Sequence, residues 1–252
     1  MVARLLARIL TWKSSPLSSF LSPLSPLSSL FSLLIPPHPF RYLFNNSLGS
    51  TLPGEWGSLT NMIGMRLYHN NFVGTLPAAY ARMRKITDLR YFNNSLTGPL
   101  PEAWGSMAQL TTLYSGNNQL VGTIPEAWGN MTQLTHLTLF NNLLLGTLPT
   151  TWGSMTKMRV LHLDNNTLEG CLPEAWGSMK QLAILGLSNN TLDSTLPESW
   201  ARGMPLMSQL LLRENNLVGT LPPSYAEWSA LSTLDLSGNN IVGTVRALHT
   251  NN

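Results

Sequence analysis

The chain has 252 residues, enough for one extended repeat array or for one to two globular domains. Charged residues make up 11% of it, against about 25% in an ordinary soluble domain, which excludes a charge-rich disordered tail and a coiled coil. The net charge of +3 is uneven: Arg4, Arg8, Lys13 and Arg41 precede the first acid, Glu55, so residues 55–252 hold eleven basic against twelve acidic residues and call for no nucleic-acid partner.

Residues 1–39 read as a low-complexity leader rich in Ser, Pro and Leu, with no charge between Lys13 and Arg41. Three readings stay open. A basic start followed by an uncharged, Leu-rich stretch fits a secretory signal or signal anchor. An Arg-bearing amphipathic pattern over 2–12, followed by a Ser-rich stretch without acids, fits a transit peptide. Pro23 and Pro26 interrupt the stretch and its longest purely apolar run is Leu33–Ile35, which fits a disordered leader better than a spanning helix of about 20 apolar residues. Membrane association is expected through this leader only.

From residue 40 onward one unit repeats. Pro53, Pro77, Pro101, Pro125, Pro149, Pro173 and Pro197 recur every 24 residues, and Pro222 follows after 25. Asparagines keep the same beat at Asn46, Asn70, Asn94, Asn118, Asn142, Asn166, Asn190, Asn215 and Asn239. Apolar residues stand eight, five and three positions before each of them and two and six after, as in Leu134, Leu137, Leu139, Leu144 and Leu148 around Asn142. The one extra residue lies in Ala201–Pro205, which reads ARGMP where other units read GSM.

The unit, LxxLxLxxNxLxGTLPEAWGSMxx, resembles the leucine-rich repeat, in particular the 24-residue class with an LxGxLP half common in plant receptor ectodomains. Its PEAWGSM half is similar to the surface-antigen leucine-rich repeat proteins of kinetoplastid protozoa. The resemblance covers 40–252, about nine units, and implies an arc with a concave parallel β-sheet and a convex side of short helical, 3-10 or extended segments. It also implies a non-enzymatic binding module, cell-surface or secreted, that takes a protein or glycan ligand on its concave face. An intracellular scaffold, with a cytoplasmic location, is the alternative. Extracellular relatives carry cysteine-bearing caps; this chain has none, and its last coil is expected to leave core leucines open or covered by a partner.

Physics assigns each position a duty. Period-two alternation in LxLxxN makes a short strand that cannot bury its own face, so neighbours must stack. An inward Asn amide satisfies backbone groups left unpaired by the turn. The recurring Gly permits a backbone that a Cβ disfavours, and Pro opens the return segment without needing a donor. The aromatic column Trp56, Tyr80, Trp104, Trp128, Trp152, Trp176, Trp200 and Tyr225 reads as a packing spine rather than a sugar-binding strip, since an identical residue at every coil suits stacking.

Ligand-binding candidates are the outward residues two, four and six positions before each ladder Asn. Arg66, Tyr68, Arg90, Phe92 and Tyr114 cluster at one end, and His136, Phe140, His162 and Asp164 follow. Aromatics beside guanidiniums have the composition of a binding hot spot. Candidate glycosylation sites are the N-x-S/T sequons at Asn45, Asn93, Asn130, Asn165 and Asn189, four of which stand one residue before a ladder Asn. No catalytic motif, metal set or cofactor is expected: the histidines lack paired metal spacing and no P-loop, GxSxG or GxGxxG occurs. The single cysteine, Cys171, excludes an intramolecular disulfide framework. The carboxylates at Glu102, Glu126, Glu174 and Glu198 read as solvated residues at helix starts. The pattern sets no oligomeric state.

Overall fold

A computed structural model describes residues 39–243. The leader, apart from Pro39, lies outside the described residues, and so do the last nine positions of the chain. Nine three-residue strands, from Phe40–Tyr42, Gly64–Arg66 and Asp88–Arg90 through to Thr233–Asp235, form one parallel sheet in strict chain order. Register follows the repeat: Arg66 pairs with Arg90, Arg90 with Tyr114, and Tyr114 with Thr138. The middle residue of each of the first eight strands, such as Leu89, Leu113, Leu137 and Leu161, is buried, while its neighbours face outward. This is the solenoid that the 24-residue beat predicts.

The convex side is built of five-residue 3-10 turns, each opening after the Pro and most closing on a Met, with Leu59 and Trp228 in its place at two coils. One coil differs. Ser199–Gly203 is α-helical, and the Met204 N–H reaches the carbonyl of Trp200, four residues back, where the Met179 N–H reaches Trp176, three back. The tighter 3-10 turn relaxes to an α turn, and that change absorbs the extra residue of the ARGMP loop. The inserted residue therefore costs no register.

The LxGT half forms a second parallel sheet, which the repeat pattern did not announce. Its strands are Val73–Thr75, Ser95–Pro99, Gln119–Thr123, Leu143–Thr147, Thr167–Gly170 and Thr191–Leu192, with a further pair at Val218–Thr220 and Asn240–Val242. The glycines of this half, Gly74, Gly98, Gly122, Gly146, Gly170 and Gly219, all have φ between 74° and 85°, as their predicted role requires. At Gly98 an added Cβ would stand 2.6 Å from the Thr75 methyl of the preceding coil.

Inside, the ladder asparagines do what an inward amide can do. The Asn142 amide nitrogen donates to the carbonyls of Leu139 (2.9 Å) and, in the preceding coil, Ser115 (3.1 Å). Its oxygen accepts the Leu120 N–H at 3.0 Å. The same set recurs at Asn70, Asn94, Asn118, Asn166, Asn190, Asn215 and Asn239. Asn46, in the first coil, donates to Leu43 and Phe44.

The aromatic spine is buried, with Trp104, Trp128, Trp152, Trp176 and Trp200 stacked at ring separations of 6.2 to 6.4 Å. Each indole N–H also donates to the Pro carbonyl of the preceding coil, at 2.8 to 3.2 Å. Trp thus stands where Leu would serve for packing alone, because it also gives a second donor to a Pro carbonyl that already accepts a backbone N–H of its own turn. Tyr225 does the same through its hydroxyl to Pro197, whereas the buried Tyr80 hydroxyl has no partner. Met83, Met107, Met131, Met155, Met179 and Met204 complete the layer. Core residues of the last described coil, Leu234, Leu236 and Ile241, are only half-buried.

Candidate functional site

The first four strands bring the sequence-predicted cluster together. Tyr42, Arg66, Arg90 and Tyr114 stand in one column across adjacent strands. Asp88, two residues before Arg90, sits between the arginines: Arg66 Nε donates to its Oδ2 at 2.8 Å and Arg90 Nε to its Oδ1 at 2.6 Å. Asp88 is the residue of this cluster that the choice of candidates left out. Its only signal was an acid in the column beside two cations, and the pairing depends on which way three side chains turn. The hydrogen bond to Asp88 raises the Arg66 pKa above its ordinary value, and the guanidinium stays charged.

Each arginine also lies over a ring, Arg66 on Tyr42 with 4.7 Å to the centroid and Arg90 on Tyr114 with 5.1 Å. With Nε and one flat face engaged, the terminal nitrogens of both guanidiniums make no hydrogen bond among the described residues. They are held in place and left to donate, an arrangement suited to a carboxylate or another oxyanion.

A second column runs beside this one. Phe44, Tyr68 and Phe92 are stacked at 4.7 and 4.5 Å with rings 8° from parallel, and Phe92 meets Tyr114 edge-on. The column breaks at Gly116, where the Phe140 ring lies across the glycine and a Cβ would stand 2.7 Å from it. The rings therefore cover one another and offer mainly their edges.

The C-terminal candidates form a separate group. His162 Nδ1 meets Asp164 Oδ2 at 2.8 Å, and the other Asp164 oxygen accepts the Ser188 N–H at 3.0 Å. Gly186 makes room for this pair, since a Cβ there would stand 2.4 Å from His162 Nδ1. His136 bonds the Thr135 hydroxyl at 2.8 Å; burial first, then the charges of Arg159 and Arg90, lower its pKa. Among the described residues no group of His, Cys, Asp and Glu could hold a metal ion, and no helix is long and apolar enough to cross a membrane.

The sequon asparagines are not alike. Asn45, Asn93, Asn165 and Asn189 all have φ near 54°, the left-handed conformation that Asn tolerates best after Gly. Asn45, Asn165 and Asn189 are exposed, as is Asn130 on its 3-10 turn. Asn93 is instead part of an outer ladder, bonding His69 at 3.0 Å and accepting from Asn117, which accepts in turn from Asn141.

Leucine-rich repeat models match residues 109–131, 133–155, 156–217 and 230–250, and they meet the nine-stranded arc along most of its length. The chain is a leucine-rich repeat protein. Similar solved structures include plant receptor ectodomains. The ectodomain of the Arabidopsis receptor kinase HAESA, solved with the peptide hormone IDA and the co-receptor SERK1, is 27% identical with a TM-score of 0.79 over 81% of this chain and 34% of its own. The ectodomain of GASSHO1/SCHENGEN3 from Arabidopsis thaliana, solved with CASPARIAN STRIP INTEGRITY FACTOR 2, is 28% identical with a TM-score of 0.72 over 83% of this chain and 28% of its own. A plant ice-binding protein is 26% identical with a TM-score of 0.77 over 84% of this chain and 70% of its own. The chain thus spans about a third of the length of these two receptors' chains. No curated protein matches its sequence.

Proposed function

We propose that this leucine-rich repeat protein is a non-enzymatic binding module, cell-surface or secreted, whose concave N-terminal half takes an extended peptide segment bearing a carboxylate or similar anionic group. The arginine pair clamped by Asp88 carries this reading: two oriented guanidiniums with free terminal nitrogens are a costly arrangement to hold for packing alone. A glycan fits the ring columns less well, because sugars stack on open ring faces and these faces already cover one another. The peptide and peptide-hormone complexes of similar plant ectodomains support the same class of ligand. Asn45, Asn130, Asn165 and Asn189 are the sequons open to glycosylation, while a glycan on Asn93 would have to break the outer ladder. The kinetoplastid side of the resemblance rests on the PEAWGSM half alone and agrees with a surface location.

The test is a displayed random-peptide library selected on the full chain, then rebound to Arg66→Ala/Arg90→Ala and to Phe92→Ala. Enriched peptides should carry acidic residues or depend on a free C-terminus, and the arginine variant should weaken them at least tenfold. Peptides that bind the variants unchanged would overturn the assignment. A tagged full-length chain found in the cytosol would favour the scaffold reading instead.

A further inference from the structure

The near-neutral charge of the solenoid hides a segregation that only the fold exposes. The residues between each 3-10 turn and the next concave strand form one lateral edge of the arc. Five of the eleven basic residues in 55–252 lie there, namely Arg84, Lys85, Lys157, Arg159 and Lys180, and among the described residues none of them has an acidic partner; Arg82 and Arg202 stand at the ends of the adjoining turns. None of the twelve acids lies in these segments; Glu227, which ends its 3-10 turn, is 3.8 Å from Arg202. The remaining acids line the turn starts, the second sheet and the concave face.

At the sixth and seventh coils this edge opens into a groove of about 510 Å³ lined by Thr135, Thr156, Lys157, Arg159, Lys180 and Gln181. No carboxylate lines it. Lys157 Nζ rests on Gln133 Oε1 at 2.6 Å, while the Arg159 and Lys180 head groups make no hydrogen bond or ion pair among the described residues. Like charges gathered on adjacent coils repel one another, and nothing in the core requires them there. Arg84 and Lys85 lie three coils away, roughly 14 Å at about 4.8 Å per strand. Between them the edge presents Gln109, Thr111, Thr132 and Gln133, which are neutral hydrogen-bonding side chains.

We infer that this edge is a second binding surface, separate from the concave site, for a linear sulfated polysaccharide lying along the solenoid axis. Sulfate groups pair with the cations at the groove and with Arg84 and Lys85, and the hydroxyls and amides between them bond the sugar hydroxyls. Nucleic acid fits less well, since the groove lining offers no aromatic ring on which a base could stack.

The experiment compares the full chain with Lys157→Gln/Arg159→Gln/Lys180→Gln on immobilised heparin across a salt series. All three positions are exposed, so the variant should melt with the parent, and the leader's cations are common to both proteins. Affinity at physiological salt should fall at least tenfold, and the log–log salt slope should shrink by about one for each cation that meets a sulfate. Arg66→Ala/Arg90→Ala should keep heparin binding, which separates this surface from the peptide site. Unchanged elution of the triple variant would overturn the inference. Equal affinity for desulfated heparin, duplex DNA or phosphatidylserine vesicles would overturn it as well.

Discussion

The convex spine and the concave face of this arc are made by the same repeat, yet they spend its positions in opposite ways. Along the spine the coils carry nearly the same letters, with Tyr for Trp at Tyr80 and Tyr225, and each contact serves the coil before it: indole to Pro carbonyl, Asn amide to two turns at once. Along the concave face no two neighbouring coils are alike, and the contacts that do form are local inventions such as Arg66–Asp88–Arg90 or His162–Asp164. Repetition marks what must be buried. Variation marks what is left to meet a partner, and the two can be told apart by what substitution costs.

The largest effect belongs to the spine. Trp152→Ala removes a fully buried ring stacked on two others and one of the two donors to the Pro125 carbonyl, so it should cost about 3–5 kcal/mol. A denaturant melt in which it costs under 1 kcal/mol would break the distinction. Asn142→Leu comes next: the leucine fills space but leaves the Leu120 N–H unpaired and takes one of two amide donors from each of the Ser115 and Leu139 carbonyls, for a loss of about 1–3 kcal/mol. Tyr80→Trp should act in the other direction. It replaces a buried hydroxyl that has no partner with an indole placed like those of the following coils, and it should stabilise by about 1 kcal/mol, read as a raised Tm. Smallest of all, Arg66→Ala/Arg90→Ala should shift stability by under about 1 kcal/mol, since its ion pairs are about a third exposed. If that pair cost as much as Trp152, the concave cluster would be structural.

How much of this was legible in the sequence follows the same division. The period, the strands, the inward Asn and the spine all repeat, so nine copies speak for each position. The second sheet escaped notice because LxGT also reads as an extended return segment, and its pairing is a property of neighbours rather than of one unit. The left-handed backbone at Asn93, Asn165 and Asn189 hid inside the NN pair, where only the second residue's duty was considered. The Asp88 clamp and the basic edge were less legible still. One depends on the rotamers of three side chains, and the other on placing Lys157, Arg159 and Lys180 around the coil, where a linear count of charge sees only neutrality.

The bonds that join one coil to the next span 22 to 28 residues and stop there. Any whole period can therefore be lost or copied while every joint keeps a partner of the kind it had. The identical stretches Pro101–Met107 and Pro173–Met179 stand three periods apart, in phase, and a misaligned exchange between them would remove or double those periods without disturbing the stack. Heredity can thus lengthen or shorten this arc in whole words. What changes at each exchange is the order of letters along the concave face and the spacing of cations along the edge, so recombination alone is enough to vary what the molecule holds.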